Sequence, residues 1–190
     1  MAFSLAKIII LFTILFSAVV IHSADADESY ATTLSLDELG LKTEKLTRFR
    51  FYLHDLVEVP NPTAVRVAGA ATSDQSPTFF GAVLVFDDAL TNGPSLTSEL
   101  VGLAQGMYAF TSLEEMSLLQ AMNIIFTEAK YNGSSITVLG RNPFLHKVRE
   151  MPIVGGTGAF RFARGYALIR TFTSNQRDAN VECDLYVLHY

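Results

Sequence analysis

The chain opens with a stretch that has no period. A short start holding Lys7 is followed by 14 uncharged, mostly apolar residues from Ile8 to Ile21, then His22-Ser23-Ala24-Asp25-Ala26. A basic start, an apolar core and a small-residue A-x-A end are the order of a cleavable signal peptide, predicted over residues 1–26. The run is shorter than the roughly 18 residues a membrane-crossing helix needs, so no retained membrane anchor is expected. Residues 27–45 are polar and acidic, with Gly40 interrupting any helical pattern, and read as an N-terminal extension. From Leu46 the pattern changes to short runs rich in Val, Ile, Phe, Tyr and Thr, separated by Gly, Pro, Asn and Asp clusters. Strands are predicted near 48–57, 64–71, 79–87, 103–110, 117–129, 135–140, 147–154, 165–173 and 181–190, an antiparallel all-β domain over 46–190.

Several of these runs are apolar on both parities, as in Ala82-Val83-Leu84-Val85-Phe86. An open sheet with one wet face would alternate more cleanly. A closed barrel with an apolar lumen and a partner subunit packed outside satisfies the pattern.

Tyr131-Asn132-Gly133-Ser134 is the clearest hairpin turn, because Asn-Gly tolerates the positive φ angles a tight turn requires. Asn132-Gly133-Ser134 is also a glycosylation sequon, which needs an exposed loop. Ser112 and Glu115 have the spacing of a helix capping box, while Ile124-Ile125-Phe126-Thr127 just downstream favours strand. Gly155-Gly156-Thr157-Gly158 has neither the spacing nor the lysine of a phosphate loop and reads as a tight turn.

Composition narrows the classes. Without the leader, 13 basic residues face 18 acidic ones, and no basic run interleaved with aromatics suggests nucleic-acid binding. Cys183 is the only cysteine, so no intramolecular disulfide can form and stability must come from the core. The histidines after the leader, His54, His146 and His189, have no ligand spacing, and no GxSxG elbow is present. No metal site and no cofactor are expected.

Asp55 shares a parity with Phe49, Phe51 and Leu53, so its carboxylate should project among apolar side chains. Loss of solvation would raise its pKa and make it a proton donor or acceptor; the alternative is a strand-end aspartate capping a turn. Tyr108 and Phe110 share one strand face and offer aromatic surface and one phenol, or are ordinary core aromatics. Arg141, next to Asn142, and Arg149 are each candidates to pair a buried acid or grip a ligand oxygen, or are surface charges.

FYLHD (51–55), FGAVLVFDD (80–88), LTSELVGLAQGMY (96–108), KYNGSSITVLGRNP (130–143), VREMPIVGGTGAFRFARGYA (148–167) and YVLHY (186–190) together resemble the plant dirigent family over essentially the whole chain from Leu46. The resemblance implies an eight-stranded antiparallel β-barrel like that of allene oxide cyclase, a calycin-like fold. It also implies a homo-oligomer, dimer or trimer, exported to the cell-wall space. Nine predicted runs are one too many for that barrel, and 64–71 or 147–154 is the one expected to be irregular. By position, the family's pocket acid falls on Asp55, the tyrosine of QGxY on Tyr108 and the arginine before the GGTG loop on Arg149. Asn142 stands where lignan-forming members usually carry aspartate, and Phe110 where they carry a second tyrosine. A single cysteine cannot supply their usual pair. These departures place the chain nearer the second branch of the family, which includes pterocarpan synthases.

The resemblance implies a phenolic small-molecule partner. The first functional expectation is regio- and stereoselective coupling of phenoxy radicals, such as those of coniferyl alcohol, in lignan biosynthesis. A separate laccase or peroxidase would make the radicals, so no redox activity of the chain's own is expected. The second is a dehydratase that cyclises an isoflavanol through a quinone methide without oxidant, and the third a barrel that only binds a phenolic. A hundredfold preference for one enantiomer asks for only about 2.7 kcal/mol between competing transition states.

Overall fold

The computed structural model describes residues 30–41, 43–175 and 178–190. The predicted signal peptide lies outside them. Residues 30–40 belong to a separate small unit, in which Ser35 and Glu38 exchange hydrogen bonds across a turn ended by Gly40.

Nine strands follow: β1 (Lys45–Asp55), β2 (Ala64–Ala68), β3 (Val83–Thr91), β4 (Leu100–Phe110), β5 (Leu118–Phe126), β6 (Ser135–Asn142), β7 (Arg149–Thr157), β8 (Arg164–Ser174) and β9 (Ala179–His189). All neighbouring pairs are antiparallel. Around the cylinder they run β1, β9, β8, β7, β6, β5, β4, β3, and β3 pairs back to β1, which closes an eight-stranded barrel. Closure is narrow, only Tyr52–Thr91, Leu53–Leu90 and His54–Ala89. Beyond it β1 leaves the edge of β3 and β2 takes its place, from Ala64–Phe86 onward. The ninth run is therefore β2, five residues that patch one edge; 147–154 belongs to a barrel strand whose register against β6 slips by one residue between Ile153 and Gly155. A one-strand surplus was legible because β2 has the β-branched texture of a wall strand. What sets it apart is its partner, which local texture does not encode.

Strand periodicity sorts the side chains. Phe51 and Leu53, Leu84 and Phe86, Met122 and Ile124, Ile136 and Val138, Met151 and Ile153, and Leu185 and Val187 all point inward and are buried. One end of the lumen is filled by rings. Phe160, fully buried, lies 5.1–5.6 Å from Phe49, Phe126, Tyr131 and His189. The other end stays open.

The outer face carries its own apolar row. Val65, Val85, Met107, Ala121 and Leu139 are successive cross-strand partners over β2 to β6. Val85, Met107 and Leu139 are 37–46 % exposed. The opposite outer face is polar: Asp184, nearly fully buried, is surrounded by Arg48, Arg50 and Arg170.

Two local expectations change in detail. No helix follows Ser112, although its hydroxyl does accept the Glu115 amide at 3.1 Å; the Glu115 side chain instead pairs with Arg141 and His146. The glycine run is mostly strand, since Gly155 to Thr157 end β7 and only Gly158, at φ 60°, turns the chain into the 3-10 turn Gly158–Phe160. A side chain at Gly156 would fall 2.5 Å from the Ser135 carbonyl oxygen, so strand pairing itself demands glycine there. Asn132-Gly133 does form a turn, with Gly133 at φ 78°, inside a longer β5–β6 loop that leaves Asn132 exposed.

Replacing Phe160 with Ala removes the centre of the aromatic plug. We expect a loss of about 3–5 kcal/mol of unfolding free energy, read by urea denaturation.

Candidate functional site

The open half of the lumen is a cavity of about 730 Å³, the size range of small-molecule sites. Its wall is mainly apolar and aromatic, including Leu53, Leu84, Phe86, Tyr108, Phe110, Leu118, Met122, Phe144, Ile169 and Val181. Phe110 lies 6.2 Å from Tyr108, 5.7 Å from Phe79 and 6.2 Å from Phe144, which joins the wall to the loops at the mouth.

Arg66, His146, Lys147 and Asp178 also reach this surface, and two polar groups are set deeper in it. The first is acidic. Asp55 ends β1 and lines the cavity as its parity demands. The Tyr108 hydroxyl from β4 donates to its carboxylate, while Asp55 Oδ1 is buried without a partner. Burial pushes the Asp55 carboxyl up to about 6, against the pull of the Tyr108 hydrogen bond. Asp88 on β3 also lines the cavity and is 1 % exposed; burial, and then the charge of Asp55, push it up to about 8. Burial and the two carboxylates raise the Tyr108 phenol as well.

Asp88 is the buried carboxyl of this cavity that the sequence did not single out. Its signal was present: Leu84, Phe86 and Asp88 share a parity, the same pattern that singled out Asp55.

The second polar group is cationic. Arg149 opens β7, is 3 % exposed, and has no carboxylate within ion-pair distance among the described residues. Its Nε donates to Asn142 Oδ1 at 3.2 Å and its Nη1 to Thr171 Oγ1 at 3.0 Å. Because a guanidinium can only donate, Asn142 must turn its oxygen toward Arg149 and its amide nitrogen toward Gln120 Oε1, 2.7 Å away. Burial lowers the guanidinium's pKa from its ordinary value without threatening its charge.

The two poles face each other. β3 and β7 are four strands apart in a ring of eight, so Asp88, flanked by Asp55 and Tyr108, looks across the lumen at Arg149. Asn142 stands beside Arg149, on the adjoining strand.

Arg141 is not brought to the cavity. β6 continues through Asn142, so consecutive residues 141 and 142 point to opposite faces; Asn142 goes inward and Arg141 outward, where it pairs with Glu115. Cys183 does line the cavity, but burial pushes its thiol up to about 12, which leaves it inert as a nucleophile. Among the described residues no cluster of side chains has the makings of a metal site.

A family model described as Dirigent-like protein matches residues 46–188. The chain belongs to the dirigent-like family. It is 51 % identical over 164 residues to dirigent protein 21 of Arabidopsis thaliana, covering 85 % of this chain and 87 % of that one. To pterocarpan synthase 1 of Glycine max it is 46 % identical over 165 residues, 85 % of this chain and 89 % of that protein. Its fold superposes on the solved structure of the pterocarpan synthase dirigent protein GePTS1 with a TM-score of 0.77 at 45 % identity, covering 84 % of this chain and 99 % of that one. The dirigent fold thus supplies the container, and the opposed acid and guanidinium are the chemistry this chain places inside it.

Both acids bind protons more tightly folded than unfolded, where an aspartate titrates near 3.8. Their contribution to stability is therefore complete below about pH 4 and is lost as pH rises through about 6 and 8. We expect unfolding free energy to fall over that window in denaturant titrations, and the slope to flatten in Asp55→Asn.

Proposed function

We propose that the barrel binds a phenolic guest between its two poles and directs a proton-transfer closure through a quinone methide. The opposition of a buried, unpaired guanidinium and a proton-holding acid pole carries this reading. Merely orienting two radicals needs neither charge, because radical pairing has little barrier and asks only for position.

The chemistry balances without an oxidant. The guest sits with a phenolate oxygen on Arg149, whose buried charge has no carboxylate partner among the described residues. Asp55 gives its proton to the guest's departing hydroxyl; the C–O bond breaks, water leaves, and the phenolate's electrons complete a neutral quinone methide. A second phenolic oxygen of the guest then adds at the methide carbon and passes its proton to the Asp55 carboxylate. The first oxygen returns to a phenolate on Arg149, and the acid is restored. Tyr108 orients Asp55, while Phe86, Tyr108 and Phe110 hold the ring faces so that addition occurs from one side. An isoflavanol meets these requirements, and the likeness to proteins named pterocarpan synthases supports that choice.

Coupling of oxidase-made phenoxy radicals remains the second reading. A cavity of about 730 Å³ has room for two monolignol-sized rings, and relatives named dirigent proteins support it. Asn142 and Phe110 differ from the lignan-forming pattern, which favours the first reading.

Three further proposals concern the whole molecule. The leader at 1–26 supports export, with extracellular or cell-wall residence. The exposed Asn132 in its loop supports glycosylation. The outer row Val65–Val85–Met107–Ala121–Leu139 supports a homo-oligomer, since packing such a row against a second copy removes its exposed apolar surface from water.

Two measurements follow. Purified protein given an isoflavanol without oxidant should release a single enantiomer of the ring-closed product by chiral chromatography, and Asp55→Asn should slow this by about 10²-fold or more. Stereocontrol seen only with coniferyl alcohol plus laccase would move the assignment to radical coupling. In sedimentation velocity, Met107→Arg should convert an oligomer to a monomer of unchanged circular dichroism; a wild-type monomer would remove the oligomer proposal.

A further inference from the structure

The seam that closes the barrel ends at His54–Ala89, so the next two residues in register are Asp55 and Asp88. Antiparallel partners of this kind hold their Cβ atoms about 4.5–5.5 Å apart. Here both side chains point into the lumen, and the strands have just begun to part. The residue bridging the fork is Thr63. Its backbone carbonyl accepts the Asp87 amide, its hydroxyl accepts the Leu56 amide at 3.1 Å, and that hydroxyl donates to Asp88 Oδ1 at 2.6 Å. The Thr63 hydroxyl also lies 3.5 Å from the His54 carbonyl oxygen, so it can donate to Asp88 Oδ1 when Asp88 is ionised and to His54 when Asp88 is protonated.

We infer that Asp55 and Asp88 act as one acid holding a single proton between them, and that Asp88 is a positioning residue that keeps this proton available to Asp55. The inference rests on the proton-transfer reading above and goes beyond it by giving a role to a residue that does not itself need to touch the guest. Two carboxyls this close in an apolar wall cannot both ionise cheaply, so removing the last proton is resisted. Asp88, the more deeply enclosed of the two, holds the shared proton at rest, while the Tyr108 hydrogen bond favours an ionised Asp55 that can draw the proton across the pair.

The surroundings are consistent with a pair isolated from other charge. Tyr108 donates from β4 and is itself held neutral by burial. Asp178, in the β8–β9 turn, is occupied by the Val57 and Glu58 amides at 2.8 Å and adds only a weak push on Asp55. Asp87 faces outward, bonded by Gln105, and His54 turns away to Thr91. Arg66, from β2, is engaged by Asp74, and Arg149 is on the far wall.

The test is a titration of guest-free protein carrying ¹³C-labelled aspartate, followed by NMR. In the wild type the Asp55 and Asp88 carboxyl signals should each respond in two shared steps. In Asp88→Asn, which keeps an oxygen for Thr63, Asp55 should titrate once, about one pH unit or more below the wild type's upper step. Thr63→Val removes a bond to the charged form and should move the upper step the other way. The alkaline limb of isoflavanol turnover should shift down with the Asp88→Asn titration. An Asp55 curve that superposes in wild type and Asp88→Asn overturns the pairing, as does a turnover limb that ignores the substitution. Coupled titration without any turnover leaves the pair standing and removes the proposed reaction instead.

Discussion

Closure of the sheet on itself is the constraint from which the rest of this molecule follows. A strand sends alternate side chains to opposite faces, and in an open sheet each face meets whatever covers it. Once β3 pairs back to β1, one face of every strand shares a single enclosed space. Inward apolar residues then fill it, and any inward polar residue is stripped of water. Asp55, Asp88, Tyr108, Asn142 and Arg149 are the residues to which this happens.

Desolvation does different work at the two poles. For carboxyls it favours the neutral form, so the acid pole keeps protons at pH values where a surface aspartate has lost them. For a guanidinium the charge survives burial, and what is lost is the water that would have screened it. Each pole thus departs from ordinary surface chemistry in the direction the other needs, one giving a proton and the other holding an anionic oxygen. Their separation prevents mutual neutralisation. Had Asn142 been an aspartate, the guanidinium would have an internal counter-ion 3.2 Å away and less reason to bind a guest's oxygen.

The aromatic plug and the narrow seam divide the labour of the fold. Phe49, Phe126, Tyr131 and Phe160 seal one end with packed rings, so the lumen is a cup instead of a channel. The three-pair seam releases β1 just where Asp55 begins, and the released edge of β3 is covered by β2. A longer seam would have paired Asp55 and Asp88 inside a closed wall, away from the opening. The outer apolar row belongs to the same economy, since apolar residues on both parities require something greasy on both faces.

By itself, the sequence determined strand content, as nine runs, and the inward parity of Asp55 and Tyr108. These are local properties, carried by alternation, β-branched texture and turn residues within a dozen positions. The same alternation would have flagged Asp88, whose neighbours Leu84 and Phe86 are as apolar as those of Asp55. It would also have separated Arg141 from Asn142 had β6 been carried two residues further. Only the tertiary structure decided which strands meet. It alone showed that β2 patches an edge, that Arg149 lies opposite the acids with no carboxylate beside it among the described residues, and that Asp55 and Asp88, 33 positions apart in the chain, stand next in register. Partnership across a closed sheet depends on the register of all eight strands together, and no local window of residues contains that.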